Sequence, residues 1–163
     1  GGKTAPDDTL ARDIALGAIK YATLKGSIHQ DSTFDKEKAL SFEGDSGPYL
    51  MYTHARIGSV LAKAREAGIM TDASHAPAVP YVLEKILYRF PEVVQNALIH
   101  REPHQVAGFL SEVASAFNTF YAHEKIVDTE DEFAPYKLAL ATAVRATLKN
   151  GLHLLGIKAP ERM

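Results

Sequence analysis

The chain contains no cysteine, which excludes disulfides and thiolate-bound metal sites. It has no apolar run approaching the roughly 18 residues that a membrane span requires. Nothing at its amino end has the charged, apolar, small-residue order of a secretory leader. We therefore expect a soluble, cytoplasmic protein with neither a membrane nor DNA as its partner. An excess of positive charge is also missing: 18 basic residues stand against 20 acidic ones, for a formal charge of −2. That balance disfavours a protein that holds nucleic acid chiefly by neutralising phosphates. It leaves open the reading of unstacked bases in an RNA loop, where stacking and base-edge hydrogen bonds act with only a few local cations. No initiating methionine precedes Gly1-Gly2, as in a piece cut from a longer chain.

What is present is ordinary in bulk and regular in pattern. The 163 residues, 46% hydrophobic and 23% charged, suffice for one packed domain carrying a remnant of another. Leu10, Ile14, Ala18 and Tyr21 recur at three and four residues, which predicts a first helix. A short helical stretch is expected after Phe34-Asp35, ending before the Gly44 to Pro48 turn. Leu50, Ile57, Leu61 and Ala64 form a stripe on a long amphipathic helix from Tyr49 to about Ala67, with Gly68 at its carboxyl cap. After a loop marked by Pro77 and Pro80, the spacing of Leu83, Ile86, Leu87 and Phe90 suits one helix face. Pro91 and Pro103 read as first-turn prolines of two further helices, 91–101 and 103–122. A final helix from about Glu132 is expected to turn Tyr136, Leu140, Ala143, Val144, Leu148 and Leu155 inward, with Gly156 as its cap. No repeat and no strand-like alternation is evident, so the fold class is all-α.

Tyr49, Tyr52 and Arg56 fall within roughly 60° of one another at about 100° per residue. They form a face a quarter turn from the apolar stripe, where phenol rings and a guanidinium suit base stacking. The same spacing also fits two tyrosines bordering the core beside a solvated arginine. Several other motifs carry no chemistry. Gly1-Gly2-Lys3-Thr4 lacks the first glycine and the strand of a phosphate loop. Gly44-Asp45-Ser46-Gly47-Pro48 has the letters of a protease nucleophile segment but stands between helices. His100 and His104 have metal-ligand spacing, yet Pro103 lies between them and the order is not that of a zinc protease. The acidic stretch Glu124, Asp128, Glu130, Asp131, Glu132 lacks calcium-loop spacing and reads as a solvated connector.

Two separated blocks point to a family. One runs Leu40-Ser41-Phe42-Glu43-Gly44-Asp45-Ser46-Gly47-Pro48-Tyr49-Leu50, followed by Tyr52 and Ala55-Arg56-Ile57. The other runs Lys149-Asn150-Gly151-Leu152, Leu155-Gly156-Ile157 and Pro160-Glu161-Arg162-Met163. Together with Arg89-Phe90-Pro91-Glu92-Val93-Val94, Ala116-Phe117-Asn118 and Tyr121, they make nearly the whole chain resemble the carboxyl-terminal part of arginyl-tRNA synthetases. The resemblance implies a helical-bundle anticodon-binding domain of a class I aminoacyl-tRNA synthetase over 46–163. Residues 1–45 would be a short helical remnant of the preceding catalytic and stem-contact region. It further implies that Tyr49, Tyr52, Arg56, Tyr121 and Met163 surround the anticodon loop of tRNA(Arg), notably its middle cytosine. Asn118, one turn before Tyr121, would hold that ring or donate to the RNA. Where some relatives carry an aromatic residue four positions after Tyr121, this chain has Lys125, which weakens the case for a second stacking platform.

Met163 is expected to be fixed rather than frayed, because Gly156, Ile157 and Pro160 make a stiff return before it. Its thioether would lie beside a base, with the terminal carboxylate near the exocyclic amine. The catalytic signatures of class I synthetases, His-x-Gly-His and a Lys-Met-Ser-Lys-Ser-like loop, are missing; none of the seven histidines is followed by x-Gly-His. The expectation is a piece without cofactors that is inactive alone, next to a catalytic domain that uses ATP and magnesium in the parent. Two other readings are a helical protein-interaction module anchored by the same tyrosines and arginine, and a fragment that retains aminoacylation by itself.

Overall fold

The computed structural model describes residues 8–28, 31 and 33–163, and every regular element among them is an α-helix. The all-α class expected from the spacing is the class observed. The phosphate-loop likeness of Gly1-Gly2-Lys3-Thr4 lies outside the described residues. The elements are α1 (Asp8–Leu24), α2 (Lys36–Ala39), α3 (Gly47–Glu66), α4 (Val82–Leu87), α5 (Phe90–His100), α6 (Pro103–His123) and α7 (Ala134–Leu154).

The helix ends follow from local chemistry. Ser46 caps α3, its Oγ accepting the Tyr49 N–H at 3.1 Å, and Pro48 sits in the first turn, where its missing donor costs nothing. Asp35 caps α2 through the Lys38 N–H in the same way. At the far end of α7, Gly156 takes φ +67°. Its N–H bonds to the His153 carbonyl while that of Ile157 bonds to Leu152, so the chain reverses in a Schellman motif. Phe90, expected on the face of the helix before it, instead opens α5, because the chain turns through Tyr88 and Arg89 after α4.

α3 is the central element, packing on α1, α6 and α7, while α6 also packs on α4, α5 and α7. One core joins Leu50, Met51, Ile57 and Val60 of α3 to Val106, Leu110, Val113 and Phe117 of α6 and to Leu138, Val144, Leu148 and Leu152 of α7. Each large side chain so buried contributes about 1.5–3 kcal/mol. The amphipathic stripe expected on α3 understates its burial, since Met51, Thr53 and His54 are also fully enclosed. Ala143 was expected inward on α7 but is exposed. The inward positions there are Leu138, Ala141, Val144, Leu148 and Leu152, a helical series that leaves Ala143 on the outer face.

α1 docks on α3 at very short range. A Cβ added to Gly47 would lie 2.4 Å from the Gly17 carbonyl oxygen, so this crossing exists only because Gly47 lacks a side chain. Tyr21 enters the common core, and its hydroxyl hydrogen-bonds to Asp45 and, at 3.2 Å, to the Ala107 carbonyl. Burial, then the neighbouring Asp45 carboxylate, pushes the Tyr21 hydroxyl well above its ordinary range. Burial alone would raise Asp45; hydrogen bonds from Tyr21 and Lys25 outweigh it and hold the carboxyl below its usual value. The segment leading into α3 is thereby tied to α1.

The acidic connector between α6 and α7 is more than a solvated loop. Lys137 is buried in α7 and pairs with Glu124 and, at 2.9 Å, with Asp131. Burial opposes its charge, but the hydrogen bonds that Lys137 donates to the two carboxylates prevail and push its pKa up. Glu124 and Asp131 thus staple the connector to the bundle.

Candidate nucleic-acid interface

The first half of α3 and the last turns of α6 bring polar side chains together. Asn118 of α6 stands at the centre: its amide Nδ2 donates to the Tyr49 hydroxyl at 2.8 Å, and its Oδ1 accepts from Arg56 Nη1 at 3.0 Å. Arg56 Nη2 donates to the Tyr52 hydroxyl at 3.2 Å. The guanidinium carbon lies 4.8 Å from the centroid of the Tyr52 ring and 5.7 Å from that of Tyr121, within range of a cation–π attraction to both. Tyr121 stacks on Phe117, with ring centroids 6.1 Å apart, so the exposed ring rests on the core. Arg56 is therefore held by two hydrogen bonds and two rings, and little side-chain entropy remains to be lost when it meets a ligand.

Beside this network opens a cavity of about 510 Å³ lined by Leu10, Ile14, Phe42, Glu43, Tyr52, Arg56 and Met163. Phe42 meets Tyr52 edge to face, with centroids 6.2 Å apart. Half of Phe42 is exposed, so an aromatic surface stands open to a partner. A second cavity of about 460 Å³, near the later turns of α3, is lined in part by Arg65, Arg145, Glu161 and Arg162. Local positive charge is thus concentrated on a chain that is slightly acidic as a whole.

The six residues singled out in the sequence fall in one region but not in one layer. Tyr52, Arg56 and Met163 share the first cavity. Tyr121 lines a neighbouring cavity with Lys125 and Val127 and is reached by Arg56 across the gap. Tyr49 is half-buried against the core, and its hydroxyl is engaged by Asn118. Tyr49 and Asn118 thus form a supporting layer beneath the exposed groups. Lys125 is exposed and pairs with Asp128 at 3.0 Å, so it supplies no ring. Leu10, Ile14, Phe42 and Glu43 also line the cavity, and the sequence reading did not assign them to the site. Phe42 and Glu43 lay within the first recognisable block, whereas Leu10 and Ile14 gave no signal beyond helical spacing.

His100 and His104 occupy the end of α5 and the start of α6. Among the described residues, no three His, Cys, Asp or Glu side chains are grouped to hold a metal ion. Likewise, no helix of the described residues is long and apolar enough to cross a membrane.

An all-helical bundle thus presents aromatic side chains around a fixed guanidinium. Residues 50–163 match the family described as the DALR anticodon binding domain, and the chain belongs to that family. It is 42% identical over 165 aligned residues to the arginine–tRNA ligase of Thermococcus kodakarensis and 40% identical to that of Pyrococcus furiosus, in each case over 96% of this chain and 26% of the relative. Among solved structures, the arginyl-tRNA synthetase of Thermus thermophilus superposes with a TM-score of 0.85 at 34% identity, covering 99% of this chain and 28% of that one. The chain spans about a quarter of the length of the curated relatives it matches.

Proposed function

We propose that this chain is the anticodon-reading part of an arginine–tRNA ligase, and that its partner is the anticodon loop of tRNA(Arg). The observation that carries the reading is Arg56. Its guanidinium is fixed between the Tyr52 and Tyr121 rings by Asn118, in the wall of a cavity that Met163 also lines. An unstacked base entering there meets ring faces worth about 1–3 kcal/mol and a preorganised fork of donors. Arg65, Arg145 and Arg162 stand nearby for backbone phosphates.

In the parent enzyme, a catalytic domain uses ATP and magnesium to activate arginine. Binding of the anticodon loop at this domain places the acceptor end over the distant adenylate, so remote binding energy serves selection. Residues 1–45 are the tail of that catalytic and stem-contact region, and 46–163 are the anticodon-binding domain. The match to the family from residue 50 onward supports this division.

The test is fluorescence anisotropy of a labelled tRNA(Arg) anticodon stem-loop, alongside one whose middle cytosine is replaced by uracil. Preferential binding of the cytosine loop is expected, weakened by about 1–3 kcal/mol in Tyr52→Ala or Arg56→Ala. Wild-type affinity in a folded double variant would refute the site. Equal affinity for the two loops would refute base readout.

A further inference from the structure

The segment 157–163 returns from α7 and passes round α3. Ile157 is buried in the core, Lys158 pairs with Asp13 of α1 at 2.9 Å, Glu161 pairs with Arg145 of α7, and Met163 ends in the cavity beside Tyr52 and Arg56. The two ion pairs each have an exposed partner, and such pairs tether weakly. The one buried polar tie is different in kind: Nδ1 of His54, a side chain with no exposure, hydrogen-bonds to the Pro160 carbonyl oxygen at 2.9 Å. A carbonyl only accepts, so Nδ1 carries the proton and Nε2 is left as an acceptor. That buried Nε2 has no partner. A leucine would fill such a site without an unmatched nitrogen, so the Pro160 bond is what an imidazole supplies there.

His54 lies two residues from both Tyr52 and Arg56, so it projects from the opposite side of α3. It is not among the residues that line the cavity, but the carbonyl it binds lies three residues before Met163, which is. Three residues span at most about 10 Å, so a Pro160 carbonyl held in place restricts where Met163 can go, and the fixed φ of proline restricts it further.

We propose that His54 is a positioning residue for the recognition cavity: its bond to the Pro160 carbonyl holds segment 160–163 round α3 and sets Met163 against the base that enters beside Tyr52 and Arg56. The role in base reading rests on the function proposed above; the latch itself does not.

The experiment labels the methionine ε-methyl groups with carbon-13 and follows Met163 by NMR. Met163→Ala provides the assignment, with buried Met51 and exposed Met70 as internal references. His54→Leu is expected to move the Met163 methyl signal to the sharp, solvent-like position of Met70. His54→Asn, which keeps a donor near the Nδ1 position, retains the wild-type signal. Stem-loop affinity falls about 5–10-fold in His54→Leu, matching Met163→Ala, and the two changes together cost less than twofold beyond either one. His54→Phe, which keeps a ring in the site but has no donor for the Pro160 carbonyl, gives the same methyl shift, so a failure of His54→Leu to fold leaves the idea open to refutation. An unmoved Met163 signal in a folded His54→Leu or His54→Phe chain would overturn the latch. Additive losses of affinity in the double variant would overturn its action through Met163. A wild-type chain that ignores the stem-loop refutes base reading, while the methyl signals still decide the latch.

Discussion

Replacing Asn118 with alanine removes the one group that joins both halves of the site. The side chain makes a neutral hydrogen bond to Tyr49 at 2.8 Å and a charge-assisted one to Arg56 at 3.0 Å. Fully buried, the two would be worth about 1 and 1.5–3 kcal/mol. Tyr49 and Arg56 are only half-buried, so water replaces part of each bond, and the net cost of Asn118→Ala is about 1–2 kcal/mol of stability. At this chain length each kcal/mol lowers Tm by roughly 2–4 °C, so thermal unfolding followed by circular dichroism is expected about 2–8 °C lower. RNA affinity falls as well, because Arg56 must be ordered at about 0.5–1.5 kcal/mol once its tether is gone, a loss of roughly 2–12-fold in stem-loop anisotropy. Asn118→Asp separates the two terms. It keeps an acceptor for Arg56 and so retains most of the stability, but it sets a carboxylate beside the proposed RNA site and is expected to weaken binding. Unchanged Tm and affinity in Asn118→Ala would refute the view that the amide preorganises the arginine. Loss of stability with full RNA affinity would reduce Asn118 to a packing role.

Three further outcomes follow from named contacts. Gly47→Ala drives a Cβ to 2.4 Å from the Gly17 carbonyl oxygen; the helices must part by about 1 Å, and overpacking of this kind costs about 1–3 kcal/mol. Thermal unfolding shifted down by several degrees checks it, and wild-type stability would show that α1 docks loosely. Lys137→Met leaves Glu124 and Asp131 without their cation. It is expected to cost about 2 kcal/mol in urea unfolding, less than the ~3–5 of a fully enclosed pair because both carboxylates keep some water; an unmoved midpoint counts against the staple. Acidification should loosen the fold through His54. Burial lowers its pKa from the ordinary 6.5, with Arg145 and Lys149 of α7 acting in the same sense, while the Pro160 bond and Glu161 oppose. Because the folded value lies below the unfolded one, this contribution is complete above about pH 6.5 and is lost as pH falls through the folded value. Urea midpoints between pH 7.5 and 5 should therefore decline more steeply in the wild type than in His54→Asn, and parallel profiles would remove His54 as the cause.

A weakly acidic chain can still address RNA when its few cations are placed rather than numerous. Arg56 is held by its neighbours before any ligand arrives, and Arg65, Arg145 and Arg162 gather along one stretch of surface. Such a site relies on stacking and geometry more than on counterion release. Its affinity should depend on salt less steeply than that of a basic groove.

Much of this was legible in the chain itself, because helical periodicity and capping are local. Leu50, Ile57 and Ala64 at helical spacing, Pro103 in a first turn and Gly156 at a carboxyl cap each act within a few residues, so the helices and the all-α class could be read directly. Tyr49, Tyr52 and Arg56 could be grouped for the same reason, since one helix presents them. The partners that give the site its form come from residues 62 to 106 positions apart: Arg56 with Asn118, and His54 with Pro160. Local patterns carry no information about such pairings; they depend on how α1, α3, α6 and α7 pack. Tertiary structure alone determined that Tyr49 supports rather than lines the cavity, that Phe42 and Glu43 join it, and that Lys137 lies buried within an acidic connector. Each of these turns on which helix faces cross and how closely, and the Gly17–Gly47 contact shows that a single methyl group would alter the answer.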